Sequence, residues 1–169
     1  METDVRLESW SEGDFGLLRR NNASEMTAHL GGPESEEQLV ARHQRYLNIE
    51  EAGTGRMFRI VLADTGEAAG AIGYWERVWQ GETVYETGWG VLPEFQGRGI
   101  AVAAAKAVVG HAGSAGRHWQ LHAFPSVGHA ASNAVCRKAG FELVGVCTFE
   151  YPKGHFMDSN DWRTDLTSR

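Results

Sequence analysis

An alanine-rich segment set between two strand-like runs limits most what this chain can fold into. Five of the ten residues 100–109 are alanine, the strongest helix former, so a helix is predicted over residues 97–113 with its first turn near Arg98. Almost its whole circumference is apolar, and such a helix has to be buried against a sheet. Residues 83–92 and 118–124 read as strands on either side. Two strands joined by a crossing helix lie parallel, so the chain has to place these two side by side in one direction.

The rest of the chain supplies further strands and helices. Residues 5–9 read as a first strand. Ser11, with Asp14 three residues later, opens a helix whose Phe15, Leu17 and Leu18 give it one buried side. Residues 26–30 predict a short helical turn, broken by Gly31-Gly32-Pro33. Ser35-Glu36-Glu37-Gln38 opens a longer helix reaching about Glu51, with Leu39, Tyr46 and Leu47 near helical spacing. Residues 57–62 and 69–75 read as strands around a turn at Asp64-Thr65-Gly66-Glu67, and Gln80-Gly81-Glu82 turns the chain again into residues 83–92. These three strands predict an antiparallel meander. Gly113 and Gly116 end the alanine-rich helix. Residues 128–139 predict a last helix, capped by Gly140, before strands at 141–150 and 162–166, with residues 151–157 as an irregular loop between them.

With 169 residues, 42% of them hydrophobic, the expectation is one domain, residues 1–169, with a sizeable core. No run approaches the roughly 18 apolar residues of a membrane span, and Met1-Glu2-Thr3-Asp4 is acidic where a signal peptide would be basic. A soluble, cytoplasmic protein with no membrane partner is expected. The net charge of −6 argues against a nucleic-acid surface and mildly favours cationic partners. Cys136 and Cys147 lack metal-ligand spacing and read as buried free thiols. No metal is expected: His118 and His122, four apart on a strand, would share a face but stand about 13 Å apart.

Gln96-Gly97-Arg98-Gly99-Ile100-Ala101 joins the 83–92 strand to the alanine-rich helix. Two glycines let the backbone approach a ligand closely, the first helical turn offers unpaired N–H groups, and Arg98 adds a fixed cation. The combination suits a phosphate, although Gly-x-Gly at such a junction also serves as a plain turn. A Walker-type loop would need Lys followed by Ser or Thr, and a dinucleotide fingerprint a third small residue and an acidic residue about 20 positions on; neither is present.

The spelling Gln-x-x-Gly-x-Gly/Ala resembles, position by position, the acyl-coenzyme A loop of the GNAT acetyltransferases. Tyr85-Glu86-Thr87-Gly88-Trp89-Gly90-Val91-Leu92-Pro93 looks like the preceding strand in the branch of ribosomal-protein N-acetyltransferases. Ser132-Asn133-Ala134-Val135-Cys136-Arg137-Lys138-Ala139-Gly140-Phe141 looks like that branch's later helix, ending in Lys-x-Gly-Phe. The resemblance spans residues 5–166 and is specific over 69–141. It implies a single-domain α/β (α+β) fold, with a mixed, mostly antiparallel sheet holding a splayed parallel strand pair and flanked by helices. It further implies an acetyl-CoA-dependent N-acetyltransferase that passes acetyl by direct attack to a primary amine of a small molecule or peptide N-terminus; a homodimer is compatible with it. Acetyl-CoA would meet Gly88, Trp89, Gly90 and Val91 on the strand, Gln96, Gly97, Arg98, Gly99, Ile100 and Ala101 in the loop, and His129. A catalytically silent acyl-CoA-binding regulatory module and a structural nucleotide-binding domain are the competing readings.

A lysine-like amine with a pKa of about 10.4 is mostly charged at neutral pH, so acyl transfer gains from a carboxylate that binds the ammonium and removes its proton, directly or through water. Glu86 is the candidate. Period-two alternation puts it on one side with Gly88 and Gly90, whose missing side chains would open the strand to a thioester. It also reads as a solvated carboxylate or an arginine's partner, and the glycines as tight packing beneath Trp75 or Trp89. Ser132 matches the Ser of the family's Asn-x-x-Ser helix, where a hydroxyl would return a proton to the leaving sulfur; it also reads as an ordinary first-turn serine. The matching Asn position holds His129, which would replace one hydrogen bond or relay a proton itself. Trp75, Trp79 and Trp89 are expected to cluster, as core or pocket wall. Residues 24–32, 75–81 and 151–157 are expected to shape the acceptor pocket.

Overall fold

The meander begins with turns that the sequence spells out. In the computed structural model, which describes residues 3–29, 31–150 and 153–166, β1 (Val5–Ser9) pairs antiparallel with β2 (Gly55–Leu62), β2 with β3 (Ala68–Trp79), and β3 with β4 (Glu82–Val91). Gln80 and Gly81, at φ 53° and 83°, form the two-residue loop between β3 and β4, the left-handed pair that matches strand twist. The predicted parallel pair is present: β5 (Gln120–Ala123) runs beside β4, with Tyr85 opposite Leu121 and Glu86 opposite His122. Two further strands, β6 (Glu142–Glu150) and β7 (Phe156–Asp165), form a hairpin whose second member pairs with β5. The seven strands lie in the order β1-β2-β3-β4-β5-β7-β6.

Helices cover both faces unequally. On one face, α4 (Ile100–Ala115) buries Ile100, Ala104, Ala105, Val108 and Ala112 in the main core with Phe58, Ile60, Ile72, Tyr85 and Leu121, and α5 (Ala130–Lys138) adds Cys136. The alanines let α4 sit close to the strands. On the other face, α1 (Phe15–Asn21) and α3 (Glu36–Ala52) enclose a smaller core of Trp10, Leu18, Leu39, Met57 and Ala71. Ser35 and Gln38 start α3 with a reciprocal capping box, Ser35 Oγ accepting from the Gln38 amide and Gln38 Oε1 from the Ser35 amide, at 3.2 and 2.8 Å. The half of this second face toward β5, β7 and β6 carries charged and aromatic side chains instead.

Several boundaries differ from the sequence reading. The Ser11–Asp14 box is present, yet residues 12–14 form a 3-10 turn and the helix proper starts at Phe15. The short helix α2 is Ser24–Thr27 rather than 26–30, and Leu30 lies outside the described residues. Gly113 sits within α4; Gly116, left-handed at φ 71°, ends it. β5 starts at Gln120, because His118 instead meets Glu76, Nε2 to Oε2 at 2.7 Å, and the Tyr85 ring. Phe156 and Met157 belong to β7, so most of that strand lay unseen in the polar run Asp158-Ser159-Asn160-Asp161; Tyr151 and Pro152 lie outside the described residues. Trp75, Trp79 and Trp89 do not cluster: Trp89 packs on the main core while Trp75 and Trp79 lie on the opposite face, since odd-numbered β4 positions pair with even-numbered β3 positions. Cys136 is fully buried and Cys147 half-buried, both as free thiols; burial pushes them up to about 12 and about 11.

Candidate active site

Among the described residues β4 pairs with β3 along its whole length but with β5 only at Tyr85 and Glu86. Beyond that point the two parallel strands part. The backbone of Thr87 to Val91 therefore has one edge without a strand partner, and backbone groups there need another partner if shielded from water. No register shift interrupts β3–β4, and beyond Glu86 the β5 chain stays beside β7, through Ala123–Trp162 and the Ser126–Ser159 bridge, so the opening comes from β5 turning away from β4 with its antiparallel partner.

The loop at the mouth of this opening is held by its own side chains. A 3-10 turn at Pro93–Phe95 follows β4, with Phe95 buried beneath it. Gln96 Nε2 donates back to the Val91 carbonyl at 2.9 Å, folding the loop onto the strand end. Gly97 and Gly99 take φ 78° and 77°, a region that L side chains enter at a cost. Gly99 also caps α4 without any side-chain bond to the first-turn amides, which leaves them for a ligand. Ile100 is core and Ala101 packs partly against it, so at these positions the backbone alone faces outward. A groove of about 420 Å³ continues from Arg98 and Gly99 along Val102, Ala103, Lys106 and Lys138. Its three cations stand out in a chain of net charge −6, and the sequence reading missed Lys106 and Lys138 because α4 and α5 bring them together.

Glu86, Gly88 and Gly90 share one face, as alternation predicts. A Cβ on Gly88 would lie 3.1 Å from the Trp75 ring edge, and one on Gly90 3.1 Å from Asn21 Oδ1. Gly88 thus lies beneath Trp75 and not Trp89. Asn21 Oδ1 is buried with no hydrogen-bond partner among the described residues, an acceptor turned toward the opening. Glu86 is ion-paired: Arg77 Nη1 donates to Oε1 at 2.8 Å. The Arg77 guanidinium rests against Phe149, Phe124 and Trp79, at 4.4, 5.2 and 5.7 Å from their centroids, contacts that favour a cation. Beside them His122 meets Asp161, Nδ1 to Oδ1 at 2.6 Å, with Trp79 Nε1 donating to Asp161 Oδ2 at 3.2 Å. Arg77, Phe149 and Asp161 come from three strands and Phe124 follows the end of β5, and none of the four gave a signal in sequence.

Across the opening stands the start of α5. Ser132 Oγ lies 3.3 Å from His129 Nε2, so the two residues singled out separately form one unit. The His129 ring stacks on His29, centroids 4.2 Å apart; burial, then the neighbouring His29, hold its pKa below the ordinary histidine value. Asn133 anchors the turn. Its Nδ2 donates to the Ser126 and His129 carbonyls, and its Oδ1 accepts from Asn160 Nδ2 and Trp162 Nε1, all within 2.8–3.0 Å. That is the full capacity of an amide side chain. Among the described residues no group of three His, Cys, Asp or Glu side chains is placed to hold a metal, and no helix is long and apolar enough to cross a membrane.

The sequence matches the family model of the acetyltransferase (GNAT) domain over residues 4–142. No curated protein matches it. Among solved structures, an acetyltransferase from Agrobacterium tumefaciens strain C58 is 25% identical with a TM-score of 0.77, over 97% of this chain and 92% of that one. An acetyl transferase from Salmonella typhimurium that modifies the N-terminal serine of ribosomal protein L7/L12 is 23% identical, TM-score 0.78, over 97% and 96%. YncA of Salmonella typhimurium, solved with its cofactor acetyl-CoA, is 17% identical, TM-score 0.78, over 98% and 95%. At such identities the last two likenesses concern the fold.

Proposed function

Because this chain belongs to the GNAT acetyltransferase family, we propose that residues 1–169 form one acetyl-CoA-dependent N-acetyltransferase domain that modifies a primary amine of a small molecule or peptide N-terminus. The observation that carries the reading is the opening between β4 and β5, bordered by a left-handed glycine loop whose helix amides no side chain caps. The residues fit acetyl-CoA. Amides from Gly97 to Ala101 would hold the pyrophosphate at the N-terminus of α4, with Gln96 keeping the loop folded and Arg98 adding charge. Lys106 and Lys138 in the adjoining groove would meet its further phosphate. The free β4 edge, Gly88 through Val91, would pair with the pantetheine arm, and the thioester would lie where Gly88 and Gly90 carry no side chain.

Bound there, acetyl-CoA supplies an activated acyl carbon; the chain's own residues do the rest. Glu86 would receive the acceptor ammonium, with Arg77 holding the carboxylate in place, and the amine gives up a proton before it attacks. As the N–C bond forms and the C–S bond breaks, the electron pair goes to sulfur, and Ser132 would hand it a proton; the His129 ring nitrogen 3.3 Å from the hydroxyl supports that reading. The requirement for acetyl-CoA favours a cytoplasmic site of action.

Calorimetric titration of acetyl-CoA into the wild type and Gly99→Trp tests the cofactor site. A folded variant that loses at least about tenfold in affinity agrees with close backbone approach, whereas unchanged affinity removes the assignment. Thiol release from acetyl-CoA with a panel of amino acids, polyamines, aminoglycosides and short peptides tests the reaction. Tight binding with no release above the amine-free rate would leave a silent acyl-CoA-binding module.

A further inference from the structure

The acetyl transfer proposed above removes two protons from an ammonium nitrogen. The first must leave before the N–C bond can form; the second leaves as the C–S bond breaks and goes to sulfur. Glu86 is poorly suited to keep the first, because protonating it would break its 2.8 Å ion pair with Arg77. A base with a stabilised charged form is needed beside it.

His122 is that neighbour. It is Glu86's register partner on the adjacent parallel strand, so both side chains rise from the same face about 5 Å apart at the backbone, where β4 and β5 begin to part. Its hydrogen bonding defines the ring. The Trp79 indole can only donate, so Asp161 Oδ2 is an acceptor. With Asp161 as a carboxylate, the 2.6 Å contact at Oδ1 is an N–H donated by His122 Nδ1, and the proton-free nitrogen of the neutral ring is Nε2. His122 is 3% exposed, and Nε2 is buried with no partner among the described residues. A buried polar atom without a partner calls for one, and here it belongs to the register partner of Glu86, at the last paired position before β4 and β5 part.

We propose that His122, through Nε2, is the base that takes the first proton from the acceptor ammonium held at Glu86, and that Asp161 is its positioning residue. The proton forms an N–H bond at Nε2, Asp161 offsets the imidazolium charge, and the proton returns to solvent between turnovers. The amine lone pair then attacks the thioester carbon, and the sulfur leaves with the C–S pair. Among the described residues, the other charged groups on this face beside the ring are Arg77 from β3, Glu86 from β4 and Arg163 from β7, with the Cys147 thiol of β6 near Asp161.

Two amines of similar size separate a base from a structural histidine. Ethylamine is charged at neutral pH and needs a base; trifluoroethylamine is uncharged there and does not need the first proton removed. Thiol release from acetyl-CoA is measured with each, for wild type, His122→Gln and Asp161→Asn. The expected result is a loss of about 100-fold with ethylamine and less than about fivefold with trifluoroethylamine in His122→Gln, partly restored by added imidazole. Asp161→Asn, which keeps the ring but not its partner, is expected to lose about tenfold with ethylamine alone. Equal losses with both amines in the two variants overturn the proposal, and so does wild-type release with ethylamine no faster than without amine. The calorimetric titration of acetyl-CoA separates this from failure of the acetyltransferase reading: wild type that does not bind acetyl-CoA sinks that reading, while binding with amine-independent losses sinks only the role of His122.

Discussion

The two edges of β4 are built from one run of sequence and do opposite things. Toward β3 the ladder is continuous from Glu82 to Val91, and the strands meet closely enough that a Cβ on Gly70 would fall 2.1 Å from the Gly90 carbonyl oxygen. Toward β5 the ladder stops at Glu86, and the next residues face an opening, with Asn21 Oδ1 beside Gly90. Closed edges satisfy backbone groups internally and contribute stability; an open edge leaves them for a ligand. The difference teaches that substitutions along the closed edge should cost stability, and those around the open edge binding or turnover.

The largest expected effect comes from closing space that does not exist. Gly70→Val should destabilise the fold by about 3 kcal/mol or more, since backbone rather than a flexible side-chain end blocks the new atoms. Thermal and urea unfolding would read it, and a loss below about 1 kcal/mol would show that the β3–β4 edge yields more than its geometry implies. Glu86→Gln, at the fork between the edges, should leave the melting temperature nearly unchanged but lower kcat/KM by about 100-fold. A wild-type rate would reduce Glu86 to the scaffold partner of Arg77.

The smallest effect sharpens the far wall. His129→Ala should weaken acetyl-CoA binding by about 0.5–1.5 kcal/mol and His129→Asn should not, the net value of one hydrogen bond; equal affinities in all three proteins would show that the ring does not replace the amide expected there. His129 also titrates with folding. Its folded pKa lies below its unfolded value, so the folded protein binds this proton less readily. The resulting stability is complete above about pH 6.5 and is lost as pH falls below it. The melting temperature should therefore drop less in His129→Asn than in wild type on acidification from about pH 7.5 to 5, and parallel curves would remove burial of the neutral ring as the cause.

Much of the fold was legible because local physics and tertiary structure agreed. Alanine density and an apolar circumference specified α4, the crossover made β4 and β5 parallel, and Ser35 with Gln38 started α3. The reading weakened where a polar run hid a strand: Ser159 and Asp161 are buried on β7, and polarity there marks an interior network rather than a loop. His118 fell outside the strand expected to include it, its ring bonded to Glu76 and set edge-on against Tyr85.

The candidate site divides the same way. Gln96, Gly97, Gly99 and Glu86 stand in short segments whose glycines, alternation and helix start suggest their chemistry, and the resemblance to the GNAT acetyltransferases added Ser132 and His129. What it could not show is which of them meet and what surrounds them. Arg77 on Glu86, Asn21 over Gly90, Lys106 with Lys138, and His122 between Glu86 and Asp161 bring together residues from separate strands and helices. Backbone periodicity determines which face a side chain takes, because it depends only on neighbours in sequence. Partners across strands depend on register and on where a strand ends, and the packed sheet alone settles those.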